Sequence, residues 1–274
     1  MAATDARMVP PLESASPSGG SQNSPQNEQE NEDTSGVMTL VEHLEELRRR
    51  LIFAMIAVAA CTVVAFIFWD PIFGFLLTPL PAVSGNPELI QHGKLVISDP
   101  VGSFMVALKV SLAVGIAAST PVVLYQLWGF LAPGLTRKER KYVAPFTFLG
   151  VALFAIGLAV GFVTLRYPMD WLLTFGSDRF IPLINADAYF TFVTYFLLAF
   201  GIVFELPLVI TFLGVVGIVN SRLLRQKRMY ILFSLWFISA FITPGADPIS
   251  PVIVGVAFTA LFELSVLLLR VIKK

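Results

Sequence analysis

Carboxylates in unusual places are the residues of this sequence that could do chemistry. Two of them, Glu46 and Glu139, stand among arginines and lysines in short polar stretches. Neighbouring positive charge keeps a carboxylate ionised, and such a group can exchange a local arginine for an incoming one. The simpler interpretation of each is a local ion pair, such as Glu46 with Arg50 or Glu45 with Arg49 four residues apart on a helix. These residues alone leave both interpretations open.

A third carboxylate, Glu205, lies near the centre of a long apolar run and is followed by Pro207. A charge at the middle of a bilayer costs at least ~2.5–3.5 kcal/mol, so such a residue is a candidate for function. It must face a bundle interior or a water-filled cavity, or be protonated. The alternative is a neutral carboxyl group that holds helices together. Asp247, beside Pro248, is predicted to form a turn on the outer side of the membrane.

The sequence gives little support to enzyme chemistry. Its two histidines, His43 and His92, fall on opposite sides of the predicted membrane, which excludes a shared histidine site for a metal. The single cysteine, Cys61, lies in an apolar run and is predicted to pack. There is no glycine-rich phosphate loop and no nucleophile beside an evident base at membrane depth. We therefore predict no enzyme, no metal or cofactor, and no nucleic-acid partner.

Long apolar segments must position these carboxylates. The chain has 274 residues, of which 56% are hydrophobic and 14% charged, whereas a soluble domain is about 45–50% apolar and about 25% charged. This composition predicts an all-α, polytopic membrane protein with one membrane domain over residues 37–274. Its six transmembrane helices are predicted at about 51–69, 103–132, 142–165, 188–220, 229–243 and 249–269.

The remaining segments are predicted to be irregular or to lie at the membrane surface. Residues 1–36 are polar and rich in Ser, Pro and Gly, which predicts a disordered tail. Met38 to Arg50 is predicted to form a short amphipathic helix on the membrane surface. Residues 70–102 and 166–187 are predicted to be loops. The apolar piece Ile72 to Leu77 is too short to span, so we expect it to lie on the outer surface or to pack against the helices.

The basic residues set the predicted orientation. Six spans place both termini on one side of the membrane. Counted from residue 37, the segments on that side carry 14 lysines and arginines, and the opposite loops carry 3. Short cytoplasmic loops hold the excess of Lys and Arg, so both termini are predicted to be cytoplasmic, in the cytoplasmic (inner) membrane.

Five short motifs, taken together and in this order, resemble one family. They are HLEELRRRL at His43–Leu51, PVVLYQLWGFLAPGL at Pro121–Leu135, KER around Glu139, FELP at Phe204–Pro207 and TPGADPIS at Thr243–Ser250. With six spans, they resemble TatC, the core subunit family of the twin-arginine protein translocase. The resemblance covers residues 38 to 272.

The resemblance implies a receptor. TatC-like proteins recognise paired arginines of signal peptides at the cytoplasmic face. With small single-span Tat subunits of the TatA/TatB type and other copies of themselves, they pass folded proteins across the membrane, driven by the proton-motive force. By motif match, Glu46 and Glu139 would contact the two arginines, and Arg48 and Phe130 would belong to the same site. Glu205, with the short last spans, would form a polar face within the membrane lipid where a partner helix docks.

Glu205 leaves a second function open, a proton-coupled small-molecule transporter with this carboxyl as its proton site. The sequence shows no internal repeat and no second discontinuous helix of the kind transporters use. The run Arg48-Arg49-Arg50 also resembles a twin-arginine export signal. Because a full span and five more follow it, we interpret this run as a determinant of topology.

Overall fold

The computed structural model describes residues 40–80, 95–131, 143–175, 179, 184–243 and 247–272. The chain forms two compact units, Met1–His43 and Leu44–Lys274, and the described part of the first is only the opening turn of a helix. The predicted disordered tail, residues 1–36, lies outside the described residues. The fold below is that of the second unit.

The described residues are helical almost throughout. Their helices are α1 Leu40–Ile67, α2 Trp69–Leu77, α3 Gly102–Leu131, α4 Val143–Thr164, α5 Arg166–Thr174, α6 Ala186–Phe204, α7 Leu206–Val215, α8 Ser221–Gln226, α9 Arg228–Ile242 and α10 Ile249–Ile272. An isolated bridge between Val96 and Asn185 ties the segment before α3 to the start of α6.

Five stretches of these helices are long and apolar enough to cross a membrane. They are Val41–Ile67, Gly102–Leu131, Val143–Thr174, Ala186–Val215 and Ile249–Arg270. The apolar helix α9 has 15 residues, which is about 22 Å against a hydrocarbon core of about 30 Å. The predicted all-α membrane fold is confirmed, and α9 corresponds to the predicted short fifth span.

Three surface predictions need correction. Helix α1 begins at Leu40 and continues to Ile67, so the described part of the amphipathic segment predicted over Met38–Arg50, residues 40–50, is the start of α1 and not a separate helix. Helices α2 and α5 lie where loops were predicted. Each has its proline in the first turn, where the missing N–H costs no hydrogen bond, so proline starts these helices and does not break them.

Both short helices pack against the bundle. In α2, the ring of Phe73 lies 4.2 Å, centroid to centroid, from that of Phe190 in α6. In α5, Pro168 and Met169 are buried. The expectation that residues 72–77 pack against the helices is confirmed, because Leu76 belongs to the core that the spans form, and Ile72, Phe73 and Leu77 pack against it.

The predicted fourth span is interrupted. Helix α6 ends at Phe204 and α7 begins at Leu206, with Glu205 at the junction. Pro207 has no backbone N–H to donate to Val203, four residues before it, so the regular helical pattern cannot continue there. The amides of Leu208 and Val209 both donate to the carbonyl of Glu205, each at 3.0 Å.

Helix α6 is the central element of the bundle. It packs against α3, α4, α7 and α10, and its residues Val193, Phe196 and Phe200 are fully buried. A Cβ atom at Gly157 of α4 would lie 2.7 Å from the carbonyl oxygen of Phe200. The backbones of α4 and α6 therefore touch at a glycine, as in other closely packed membrane helices.

Candidate functional site

Glu46 and Arg50 form the ion pair that their spacing predicts. Arg50 donates to Oε1 of Glu46 from Nε at 2.9 Å and from Nη2 at 2.5 Å. The Glu46 side chain is only 10% exposed, and its second oxygen, Oε2, is buried and has no hydrogen-bond partner among the described residues. The other predicted pair, Glu45 with Arg49, is not among the ion pairs of the described residues, and both side chains are exposed.

Arg50 also connects α1 to the end of α3. Its Nη1 donates to Oε1 of Gln126 at 3.3 Å. A Cβ at Gly129, one turn after Gln126, would collide with the Arg50 guanidinium. Glycine at this position therefore leaves room for the arginine. Neither Gln126 nor Gly129 was predicted to belong to the site, although their spacing of three puts them on one face of the helix.

Trp128 fixes the end of α3 that carries Gln126. It is buried, and its ring lies 5.4 Å from that of Phe146 in α4 and 4.7 Å from that of Phe212 in α7. The indole thus joins three helices beside the Arg50–Gln126 contact. An aromatic cluster of this kind holds the polar side chains of the site on a rigid support.

Of the three other residues predicted for the signal-peptide site, the structure describes two. Arg48 is exposed on α1, and Phe130 is half-buried near the end of α3. Glu139 lies outside the described residues. In the described part of the site, Arg50 contacts both Glu46 and Gln126.

Glu205 lies at the junction of α6 and α7 and turns toward α4. The residue is half-buried, and its Oε1 is buried with no hydrogen-bond partner within the described ranges. A Cβ at Gly150 of α4 would lie 3.2 Å from Oε2 and close to the side chains of Leu124 and Leu208. The carboxyl group thus lies against apolar neighbours inside the bundle, where an unsatisfied oxygen favours any group that can donate a hydrogen bond to it.

Asp247 caps the last helix. It is 4% exposed, and its Oδ2 accepts a hydrogen bond of 2.6 Å from the backbone N–H of Ser250 in the first turn of α10. Its Oδ1 is buried and has no hydrogen-bond partner in the part of the chain that the structure describes. Residues 244–246, which complete the predicted turn, lie outside the described residues. The geometry gives Asp247 a structural role at a helix start.

Two further ion pairs join neighbouring spans. Arg228 Nη2 of α9 lies 2.9 Å from Glu263 Oε1 of α10, and Lys109 Nζ of α3 lies 2.6 Å from Asp187 Oδ1 of α6. The sequence did not predict that Lys109 would pair with a residue on α6. Each pair neutralises charge near the end of a span.

Comparison with known proteins gives a consistent result. The family model for the Sec-independent protein translocase protein (TatC) matches residues 42–256. The TatC protein of Carboxydothermus hydrogenoformans is 34% identical over 237 residues, which cover 86% of this chain and 94% of the relative. The TatC protein of Helicobacter pylori is 34% identical over 231 residues, which cover 84% of this chain and 87% of the relative.

A solved structure matches the fold as well. The crystal structure of the twin arginine translocase receptor TatC aligns with a TM-score of 0.73 and 31% identity, covering 85% of this chain and all of that one. These matches confirm the family resemblance of the five motifs, and they do not favour the alternative of a proton-coupled transporter. The chain is a multi-pass membrane protein of the TatC family, whose members are protein-translocase components and not enzymes.

Proposed function

We propose that this chain is the signal-recognising core subunit of a twin-arginine translocase. It binds twin-arginine signal peptides at the cytoplasmic face and helps to move folded proteins across the membrane, using the proton-motive force. The observation that carries the proposal is the carboxylate of Glu46, with one oxygen bound by Arg50 and the other buried without a partner. A related protein of known structure is itself described as a twin-arginine translocase receptor.

The unpartnered oxygen of Glu46 suits an incoming guanidinium. A buried acceptor without a hydrogen bond costs ~1–3 kcal/mol, and more when it is charged, so a donor that reaches it gains that free energy. Arginine offers a planar fork of donors with fixed geometry, whereas lysine offers a compact ammonium. The site should therefore distinguish an arginine pair from a lysine pair.

Glu139 is proposed to receive the second arginine, by its position in the family motif. It follows the last residue of α3 by eight positions, and an extended segment of eight residues reaches at most ~28 Å. The end of α3 carries Gln126, which contacts Arg50. The segment from α3 to Glu139 is therefore long enough for Glu139 and Glu46 to belong to one site. Arg48 and Phe130 are proposed to line the same site.

The partners are proposed to be small single-span Tat subunits of the TatA/TatB type and other copies of this chain. Support comes from Glu205, whose buried unpartnered oxygen could accept a hydrogen bond from a partner helix. The short helix α9 adds a large exposed apolar face that includes Phe233, Phe237 and Phe241. Both termini are proposed to be cytoplasmic, as the 14 basic residues on one side and 3 on the other, counted from residue 37, predict. By its family, the protein is also proposed to lie in the cytoplasmic (inner) membrane.

Photo-crosslinking of a twin-arginine signal peptide tests the proposal. Membranes would hold the wild-type chain, Glu46→Ala, Glu139→Ala or the matched control Glu45→Ala. We expect strong crosslinking that falls in the first two variants, persists in the control, and falls when the peptide carries Lys-Lys. Absence of crosslinking to the wild type would refute the receptor function.

A further inference from the structure

The ion pair between Lys109 and Asp187 lies at the mouth of a groove that the proposed function does not use. Lys109 follows the start of α3 by seven residues, about 10 Å along the helix, and Asp187 is the second residue of α6. Their side chains are 49% and 47% exposed. Gln126, which meets Arg50, lies near the other end of α3. The pair is therefore on the membrane face opposite to Glu46 and Arg50.

A small cavity begins at Lys109 and continues between α3 and α6. Its volume is about 100 Å³, and Ile116, Thr191 and Leu198 contribute to its walls. The hydroxyl oxygen of Thr191 is buried, and no described residue forms a hydrogen bond with it. A polar group that enters at Lys109 would therefore find two kinds of donor, an ammonium and a hydroxyl.

A larger apolar cavity adjoins the small one. The two share Ala113, Thr194 and Leu198, and the larger has a volume of about 700 Å³ between α2, α3, α4 and α6. Ligand pockets typically measure about 300–1,000 Å³. Phe75 and Phe162, which stack with ring centroids 4.5 Å apart, form part of its wall. Such a lining offers water few hydrogen bonds, so a hydrocarbon chain suits this cavity better than water does.

We propose that the groove binds one zwitterionic phospholipid from the leaflet opposite to Arg50. The Lys109 ammonium has three donors, and Asp187 is its acceptor in the described structure. The remaining donors and the Thr191 hydroxyl bind the lipid phosphate. The Asp187 carboxylate binds the ammonium of the headgroup, and one acyl chain occupies the apolar cavity.

The charge of the ion pair selects the headgroup. Lys109 and Asp187 together carry no net charge, so a headgroup with one phosphate and one ammonium satisfies both side chains. A lipid with a negative headgroup and no ammonium would bind Lys109 but would be repelled by the Asp187 carboxylate, whose Oδ1 lies 2.6 Å from the Lys109 Nζ. The site therefore prefers phosphatidylethanolamine to phosphatidylglycerol.

Lipid retention and crosslinking test the site. The full chain would be placed in nanodiscs of equal parts phosphatidylethanolamine and phosphatidylglycerol and released into native mass spectrometry. A phosphatidylethanolamine with a diazirine on its acyl chain would map the contacts. We expect one retained phosphatidylethanolamine and crosslinks concentrated around Ala113, Ala117 and Leu198. Equal retention of both lipids, or crosslinks spread evenly over all spans, would overturn the proposal.

Two neighbouring alanines give a matched pair of variants. Ala117 lines the apolar cavity, and Ala118 is exposed on another face of α3. Ala117→Phe should fill the cavity and lower retention at least tenfold, whereas Ala118→Phe should keep it. Equal loss in both variants would refute the acyl-chain site. If Ala117→Phe does not fold, Ala159→Phe fills the same cavity from α4 and takes its place.

A third variant separates the headgroup from the acyl chain. Asp187→Asn removes the carboxylate and leaves the cavity intact. We expect it to abolish the preference for phosphatidylethanolamine over phosphatidylglycerol, because Lys109 alone binds the phosphate of either lipid, and to keep the crosslinks in the cavity. An unchanged preference in Asp187→Asn would show that Asp187 does not select the headgroup.

Discussion

The guanidinium of Arg50 binds a single oxygen of Glu46, through Nε at 2.9 Å and Nη2 at 2.5 Å, and leaves the second oxygen buried with no partner among the residues that the structure describes. A bidentate pair would have used both carboxylate oxygens. Arg50 instead directs its remaining Nη1 to Gln126 on α3. The carboxylate is thus held in place by one arginine and keeps an acceptor for another.

Removal of the charge on Glu46 should therefore weaken signal-peptide binding. We expect Glu46→Gln to lower the affinity for a twin-arginine peptide at least tenfold, about 1.4 kcal/mol, because an amide loses the charge-assisted hydrogen bond. The dissociation constant would be measured with a fluorescent peptide and the chain in nanodiscs.

Glu45→Gln is the matched control for that measurement. Glu45 is the adjacent carboxylate, is exposed, and forms none of the ion pairs of the described residues. It should keep the wild-type affinity. A similar loss in both variants would mean that general negative charge on α1 attracts the peptide and that the position of Glu46 is unimportant.

Gly129→Ala should lower the affinity for the signal peptide without lowering the stability of the fold. The added methyl group collides with the Arg50 guanidinium, which must leave Gln126 and shift away from Glu46. We expect a loss of one hydrogen bond, ~0.5–1.5 kcal/mol, and a severalfold lower peptide affinity. Alanine also favours the helix over glycine by about 1 kcal/mol, so the thermal unfolding midpoint in detergent should not fall.

Gly74→Ala provides the comparison, since a Cβ at Gly74 in α2 meets no other atom within 4 Å. Its peptide affinity should equal that of the wild type. If Gly129→Ala also binds the peptide normally, the contact between Arg50 and α3 does not position Glu46.

Local spacing predicts the pair of Glu46 with Arg50, because residues four apart lie on the same face of a helix. Spacing alone does not ensure a pair, since Glu45 and Arg49 stand at the same separation and are not among the ion pairs of the described residues. Gln126 could not be found in this way, since its contact with Arg50 depends on how α1 and α3 cross. The same limit applies to the ion pair of Lys109 with Asp187. Their separation of 78 residues gives no local signal.

Composition predicts the spans because hydrocarbon demands long apolar helices. It does not predict α2 and α5, whose nine residues each are too short for a span and contain a proline. Their helical form depends on burial of Phe73 and Met169 against the bundle. The break at Glu205 follows from Pro207, which the sequence shows, but the proximity of Gly150 to the carboxyl group required the structure.

Glu205→Ala should weaken assembly with partner subunits and leave signal binding largely intact. Glu205 lies at the junction of α6 and α7, whereas Glu46 lies in α1. A polar contact between membrane helices contributes about 1 kcal/mol, so we expect about fivefold less co-purified partner subunit. Glu205→Gln keeps the hydrogen-bonding oxygen and should retain more of it. Equal loss of peptide binding in Glu205→Ala would contradict the separation of the two roles.

Asp247→Ala should destabilise the start of α10. The Oδ2 atom of Asp247 accepts the Ser250 N–H at 2.6 Å in a buried position, and loss of such a helix cap costs about 0.5–2 kcal/mol. Asn220 caps α8 from an exposed position and accepts from Leu223 N at 2.7 Å, where water can replace the lost acceptor. We therefore expect the thermal unfolding midpoint in detergent to fall more for Asp247→Ala than for Asn220→Ala. Asp247→Asn should lie in between because it keeps an acceptor.

Equal shifts of the midpoint for the two alanine variants would mean that burial adds nothing to the cap. A large loss of signal-peptide binding in Asp247→Ala at an unchanged unfolding midpoint would instead assign Asp247 to transport.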